Sequence, residues 1–299
     1  MTIGFSGLGK MGSQLVQRLL SAGHQVYVVN RSPEPVDKML AQGAQRGESL
    51  ENLTQVLKPV IIWLMVPADI VDQQFETVLA KAPEGAIIID GGNSDFRLTQ
   101  ARAAKAQAKG VHFIDVGTSG GILGGKNGFS MMVGGDTEAV KSISPIIDAL
   151  AHPYGWHHFG PAGAGHFVKM VHNAIEYGMM ESYAEGYRML KEGPIAELDL
   201  VNAGRVWQHG SIIESLLNQL TMEALEENPS LEGVEGVVAE SGEARWTLEL
   251  ANQMNLPMPA IQAAFDVRLK SQQGEVNYAT KLLAAMRNKF GGHQINPNQ

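Results

Sequence analysis

Lys169, His172, Asn173, Glu176 and Tyr177 stand at i, i+3, i+4, i+7 and i+8 in the run Gly165-His166-Phe167-Val168-Lys169-Met170-Val171-His172-Asn173-Ala174-Ile175-Glu176-Tyr177. On an α-helix this spacing gathers all five on one face and turns Val168, Val171 and Ile175 away. An ordinary solvated face is the competing reading, but such a face has no need of His, Asn and Tyr between Lys and Glu. A cation and a carboxylate two turns apart, with hydrogen-bonding groups between them, suit proton transfer on a polyhydroxylated substrate.

A second set of positions acts through the backbone. Gly7-Leu8-Gly9-Lys10-Met11-Gly12 follows the apolar run Ile3-Gly4-Phe5-Ser6 and opens a helical pattern. The first glycine permits the tight turn, the second admits a pyrophosphate, and the third lets helix and strand pack closely. Gly7, Leu8, Gly9, Lys10, Met11 and Gly12 are thus the expected dinucleotide loop, with Val66 and Asn93 completing the cofactor set. At the end of the second strand, Asn30 stands where an acidic residue would accept from the ribose of NAD. Arg31 beside Ser32 suits a phosphate, which favours NADP; if Arg31 instead stacks on the adenine, NAD remains open. Asp90-Gly91-Gly92-Asn93-Ser94 and Gly117-Thr118-Ser119-Gly120-Gly121 each close a later strand. Their paired glycines let N–H groups converge on an anion, and Asn93 and Ser119 add side-chain hydrogen bonds; singly, each is also readable as a plain turn.

The elements that position these groups follow from the pattern. Strands are expected over 3–6, 25–30, 60–66, 86–90, 112–116 and 130–133, with amphipathic helices such as 11–22 and 35–41 between them. That alternation predicts an α/β fold, a Rossmann-type doubly wound, largely parallel sheet over residues 1–160. Beyond it the strand signal stops, and an all-helical domain is expected over 161–299, opened by a helix over 164–191. The stretch 288–299, rich in Gly, Asn and Pro, is expected to be irregular.

Composition narrows the function. The chain has 299 residues, 44% hydrophobic and 18% charged, with a net charge of −8 and no basic block. Nucleic acid and anionic membranes are poor partners for it, whereas a small anion can bind through local cations. With no cysteine, thiol catalysis, disulfides and thiolate metal sites are excluded. Met1-Thr2-Ile3-Gly4-Phe5 has no signal-peptide pattern, and a cytoplasmic location is expected. His24, His112, His152, His157 and His158 are not at metal-ligand spacing, so no metal site is expected.

Taken in order, these segments resemble the 6-phosphogluconate dehydrogenase family. Trp207-Gln208-His209-Gly210-Ser211-Ile212-Ile213, Arg245-Trp246-Thr247 and Phe265-Asp266-Val267-Arg268-Leu269 extend the resemblance nearly end to end, in the manner of a short branch. The resemblance implies oxidative decarboxylation of a sugar acid with NAD(P), Lys169 as general base and Glu176 as general acid, in the pentose phosphate pathway. It implies that Lys169 starts unprotonated, a state that desolvation favours. It also implies that Asn93, His172 and Asn173 hold hydroxyls, that Ser119, Gly120 and Gly121 hold the carboxylate, and that Tyr177 and Arg268 hold the phosphate. Arg287-Asn288-Lys289-Phe290-Gly291-Gly292-His293 is similar to a family tail that enters the neighbouring subunit. A homodimer or homotetramer, its site completed in trans by Arg287 and His293, is the implied assembly. Ser241-Gly242-Glu243 departs from the family, where a Lys and a Thr help bind phosphate; Arg245 is the candidate replacement cation. The nearest rival is a β-hydroxyacid dehydrogenase of the 3-hydroxyisobutyrate or tartronate semialdehyde type, which oxidises without decarboxylation. A non-catalytic nucleotide-binding module is the rival from another class, and Lys169 speaks against it.

Overall fold

The computed structural model describes residues 1–295. Residues Met1–Met170 form one compact unit, and a second begins at Val171. The first contains β1 (Thr2–Ser6), α1 (Lys10–Ser21), β2 (Gln25–Val29), α2 (Pro33–Leu40), β3 (Gln45–Arg46), α3 (Leu50–Val56), β4 (Ile61–Leu64), α4 (Ala68–Leu79), β5 (Ile87–Asp90) and α5 (Phe96–Gln107). It continues through β6 (His112–Ser119), a 3-10 turn (Gly121–Leu123), α6 (Gly124–Asn127), β7 (Phe129–Gly134), α7 (Thr137–Ser142), α8 (Ser144–Leu150) and β8 (Ala151–Gly160). The long helix α9 (Ala164–Glu192) starts in this unit and continues into the next. There it is followed by α10 (Leu200–Trp207), α11 (Leu216–Glu227), α12 (Glu243–Gln253), α13 (Pro259–Gln272) and α14 (Tyr278–Gly291).

The strands form one sheet in the order β3-β2-β1-β4-β5-β6-β7-β8. Those from β1 to β6 run parallel, β7 is antiparallel to β6, and β8 pairs parallel with β7. The order reverses at β1, so the loop after β1 opens at the switch point where doubly wound sheets bind ligands. Ile61, Ile62, Trp63 and Leu64 are all buried because both faces of the sheet are covered, one by a cluster around Phe5, Leu15 and Ile147, the other by one around Leu53, Phe75 and Phe113. In the second unit Ala174, Tyr177, Ala244, Leu248, Ala264 and Phe265 share a smaller core.

Three expectations need correction. β6 runs to Ser119, so Gly117 and Thr118 are strand residues and the turn begins at Gly120. β3 and β8 were not anticipated; a two-residue edge strand and a strand containing Pro153 carry little of the apolar alternation that marks a strand. Helix α14 reaches Gly291, past the predicted start of the irregular tail; an Asn277–Thr280 capping box starts it and Gly292, in the left-handed conformation at φ 59°, ends it. The last four residues of the predicted tail, 296–299, lie outside the described residues.

Candidate active site

The dinucleotide loop is shaped by close backbone approach. Gly7 has φ +98°, and a Cβ on it would lie 2.1 Å from the Met65 carbonyl oxygen. A Cβ on Gly12 would lie 2.0 Å from the Gly7 carbonyl oxygen, so α1 rests directly on the turn. Gly9, by contrast, faces open space and starts α1 with no side-chain cap, which leaves first-turn N–H groups for an anion. Leu8 is buried, and its amide donates to Asn30 Oδ1 at 2.9 Å. Asn30 Nδ2 in turn donates to the Ser32 carbonyl at 3.1 Å, so Asn30 braces the loop, while Lys10, Arg31 and Ser32 are exposed beside it. Gly9, Met11, Gly12, Val66 and Asn93 line one cavity of about 220 Å³ together with Gly92 and Thr118 of the two strand-end turns and with Met65, which lies outside the motifs.

Buried aspartates hold the two strand-end turns. Asp90, fully buried, accepts from the Gly92 amide at 3.1 Å and from Ser94 Oγ at 2.7 Å, and Arg102 Nη1 lies 3.4 Å away. Asn93 is left exposed at the cavity. Thr118 Oγ1 donates to the Gly91 carbonyl at 3.3 Å, linking this turn to β6, whose end presents Ser119, Gly120 and Gly121. Asp115, also fully buried, accepts from the Gly163 amide at 2.7 Å and the His166 amide at 2.8 Å, which fixes the entry of α9. A carboxylate buried in or at the end of an apolar strand must find such partners, so Ile89-Asp90 and Ile114-Asp115 carry a sequence signal for them.

Lys169 follows within two turns of that entry. A Cβ on Gly117 would lie 2.3 Å from Lys169 Cβ, and one on Gly165 would lie 2.3 Å from the Met132 carbonyl oxygen. The helix therefore lies against β6 and β7 at glycine separation, and Lys169 is only 4% exposed.

In the second unit the remaining members of the α9 face divide by accessibility. Asn173 and Tyr177 are buried, whereas His172 and Glu176 are half-buried, their side-chain atoms 3.9 Å apart. Asn173 Nδ2 donates to Glu243 Oε1 at 2.9 Å, and Ser241 Oγ donates to Glu243 Oε2 at 2.6 Å. The Ser241 amide donates to Tyr177 Oη at 3.2 Å. Ser241 and Glu243 are therefore part of the scaffold that orients Asn173 and Tyr177. Arg245 pairs with Glu240, so the candidate replacement cation is already engaged.

Arg268 is 1% exposed, its Cζ 3.3 Å from the Tyr177 ring centroid. Burial pulls it down to about 10. Arg287 is buried on α14, not in a tail; burial lowers it too, with Tyr177, Glu176 and Glu243 of its own chain opposing that shift. His293 is exposed, its ring 6.4 Å from that of Phe290.

Comparison with known proteins gives this arrangement a family. Residues 2–160 match the NAD binding domain of 6-phosphogluconate dehydrogenase, and residues 165–289 match the 6-phosphogluconate dehydrogenase C-terminal domain. The putative 6-phosphogluconate dehydrogenase YqeC of Bacillus subtilis is 37% identical, over 98% of each chain. An NAD(+)-dependent, decarboxylating 6-phosphogluconate dehydrogenase of Haloferax volcanii is also 37% identical, over 99% of this chain and 98% of the relative. A solved structure of the Plasmodium falciparum 6-phosphogluconate dehydrogenase superposes with a TM-score of 0.83 at 28% identity, covering 100% of this chain and 67% of the other. The chain thus has the nucleotide loop, the long helix and the helical unit of an oxidoreductase family: it belongs to the 6-phosphogluconate dehydrogenases.

Proposed function

We propose that this chain catalyses oxidative decarboxylation of 6-phosphogluconate to ribulose 5-phosphate and carbon dioxide, with reduction of NADP in preference to NAD, as a step of the pentose phosphate pathway. The observation that carries this reading is the placement of Lys169 and Glu176 two turns apart on one face of α9, the lysine buried and the carboxylate half open. Lys169 Nζ takes the proton of the hydroxyl on carbon 3. A nicotinamide bound at the glycine loop supplies the hydride acceptor. The 3-keto acid so formed is a β-keto acid, and the Lys169 ammonium hydrogen-bonds its carbonyl oxygen as carbon dioxide departs. The oxygen takes the ammonium proton to give the enediol; Glu176 then delivers a proton to carbon 1 as Lys169 recovers the proton from oxygen, which completes ribulose 5-phosphate.

Binding groups sort by position. Asn93, His172 and Asn173 hold hydroxyls; Ser119, Gly120 and Gly121 hold the carboxylate. Tyr177 and Arg268 hold the phosphate, and Arg287 with His293 completes the substrate site. The active form is a homo-oligomer in which a second copy covers the exposed apolar residues of α9 and receives His293. Incubation with 6-phosphogluconate labelled at carbon 1 tests the reaction. Labelled carbon dioxide should appear in step with cofactor reduction; reduction without carbon dioxide would place the chain with the non-decarboxylating β-hydroxyacid dehydrogenases.

A further inference from the structure

Glu181 has no part in the chemistry above, yet it lies one turn beyond Tyr177 on α9, among the groups assigned to the phosphate. It is 7% exposed, and its Oε2 has no hydrogen-bond partner among the described residues. Buried carboxyl oxygens are normally bonded, so an orphan beside a binding site asks for a reason. The charged groups acting on it are Glu185 from its own helix, which opposes ionisation, and Arg268 from α13, which favours it. Burial, reinforced by Glu185, outweighs Arg268, and the carboxyl is pushed up to about 7.

Arg268 is the natural counterpart. Its Nη2 lies 3.6 Å from Met180 Sδ, its Nη1 donates to the Ala239 carbonyl at 3.4 Å, and its face covers the Tyr177 ring. Arg287 adds a second cation from α14. Among the described residues the guanidinium of Arg268 thus meets a sulfur, a carbonyl and a ring rather than a paired carboxylate. Glu181 is left as a nearby counter-charge that no hydrogen bond fixes in one protonation state.

We propose that Glu181 is a positioning residue for the phosphate end of the substrate, ionised opposite Arg268 while the site is empty and taking up one proton from solvent when a phosphate dianion arrives. A second anion near Arg268 makes the Glu181 carboxylate costlier, and the only bond formed is O–H. The inference rests on the assignment of Tyr177 and Arg268 to the phosphate.

Calorimetric titration of the full chain with 6-phosphogluconate and with gluconate, at pH 8 in two buffers of different ionisation enthalpy, tests it. Near that pH the phosphate itself, with a second pKa of about 6, is fully ionised. Close to one proton should be taken up with 6-phosphogluconate and none with gluconate. From pH 7 to 9 the affinity for 6-phosphogluconate should weaken by up to about tenfold per pH unit. Glu181→Gln should abolish the uptake, flatten the profile and bind about tenfold more tightly than the parent at pH 8. Glu181→Met, which also lacks the titrating group, should do the same and guards against a fault peculiar to one variant. If folded Glu181→Gln or Glu181→Met keeps the parental uptake and slope while still preferring 6-phosphogluconate, the Glu181 proposal is overturned and the phosphate assignment stands. If the parent binds gluconate as tightly as 6-phosphogluconate, the phosphate assignment falls and the proposal falls with it.

Discussion

Single side chains in this molecule divide into those whose role follows from spacing and those whose role follows from distant partners. Lys169, His172, Asn173, Glu176 and Tyr177 belong to the first kind, since helical periodicity alone gathers them on one face. Asp115 and Glu243 belong to the second, since the atoms that fix them come from other elements; for Asp115 the local sign is only a carboxylate set in an apolar strand. Even the first kind held a surprise. The face that carries Lys169, Asn173 and Tyr177 is the packed side of α9, while Ile175 on the other side is 51% exposed. Replacing Lys169 by Met should lower kcat at least about a thousandfold, the upper part of the range for a general base, while cofactor binding by fluorescence titration stays unchanged. Retained turnover would remove Lys169 from the mechanism. Glu181 also predicts a stability profile. Its folded-state pKa is raised to about 7, so the folded chain binds a proton that the unfolded chain has released. The stabilisation is complete below about pH 4 and is lost as pH rises through about 7. Glu181→Gln should therefore match the parent in acid and exceed it by about 1–3 kcal/mol at pH 8, as read by urea denaturation at both pH values.

At the scale of elements, the strand–helix alternation was legible because strands covered on both faces read as apolar runs. Their directions and ends were not. The reversal of β7 depends on a connection through the short α6, and β6 overran its expected end because Gly117 and Thr118 look like turn residues locally. Packing explains Gly117: it is a strand glycine with a helix against it. Gly117→Ala should push the Lys169 stem aside and lower kcat about a hundredfold, the effect of a misplacement near 1 Å, with a stability loss of about 1–3 kcal/mol. Steady-state kinetics and thermal melting check both. The second strand end makes a separate prediction. Arg31 is exposed beside the braced loop, so Arg31→Ala should cut kcat/KM for NADP by about 10- to 100-fold and leave that for NAD within about twofold. Equal losses with both cofactors would reassign Arg31 to the adenine.

For the whole molecule, family membership accounts for both compact units, each of which has its own buried core. Among the described residues no helix is long and apolar enough to cross a membrane. Ile175, Met179 and Met189 leave apolar side chains exposed along α9, the surface that the proposed homo-oligomer would cover. Ile175→Glu should weaken self-association about thirtyfold or more in sedimentation equilibrium, whereas an unchanged mass would place any subunit contact elsewhere. Lys169, the proposed base, is positioned by groups that do no chemistry: a glycine in β6, a glycine at the helix entry, and an aspartate receiving two amides. Anyone transplanting the reaction to another nucleotide-binding scaffold would have to carry over that gap and that anchor first. A lysine grafted alone, however well chosen its helix, would arrive with no room to stand.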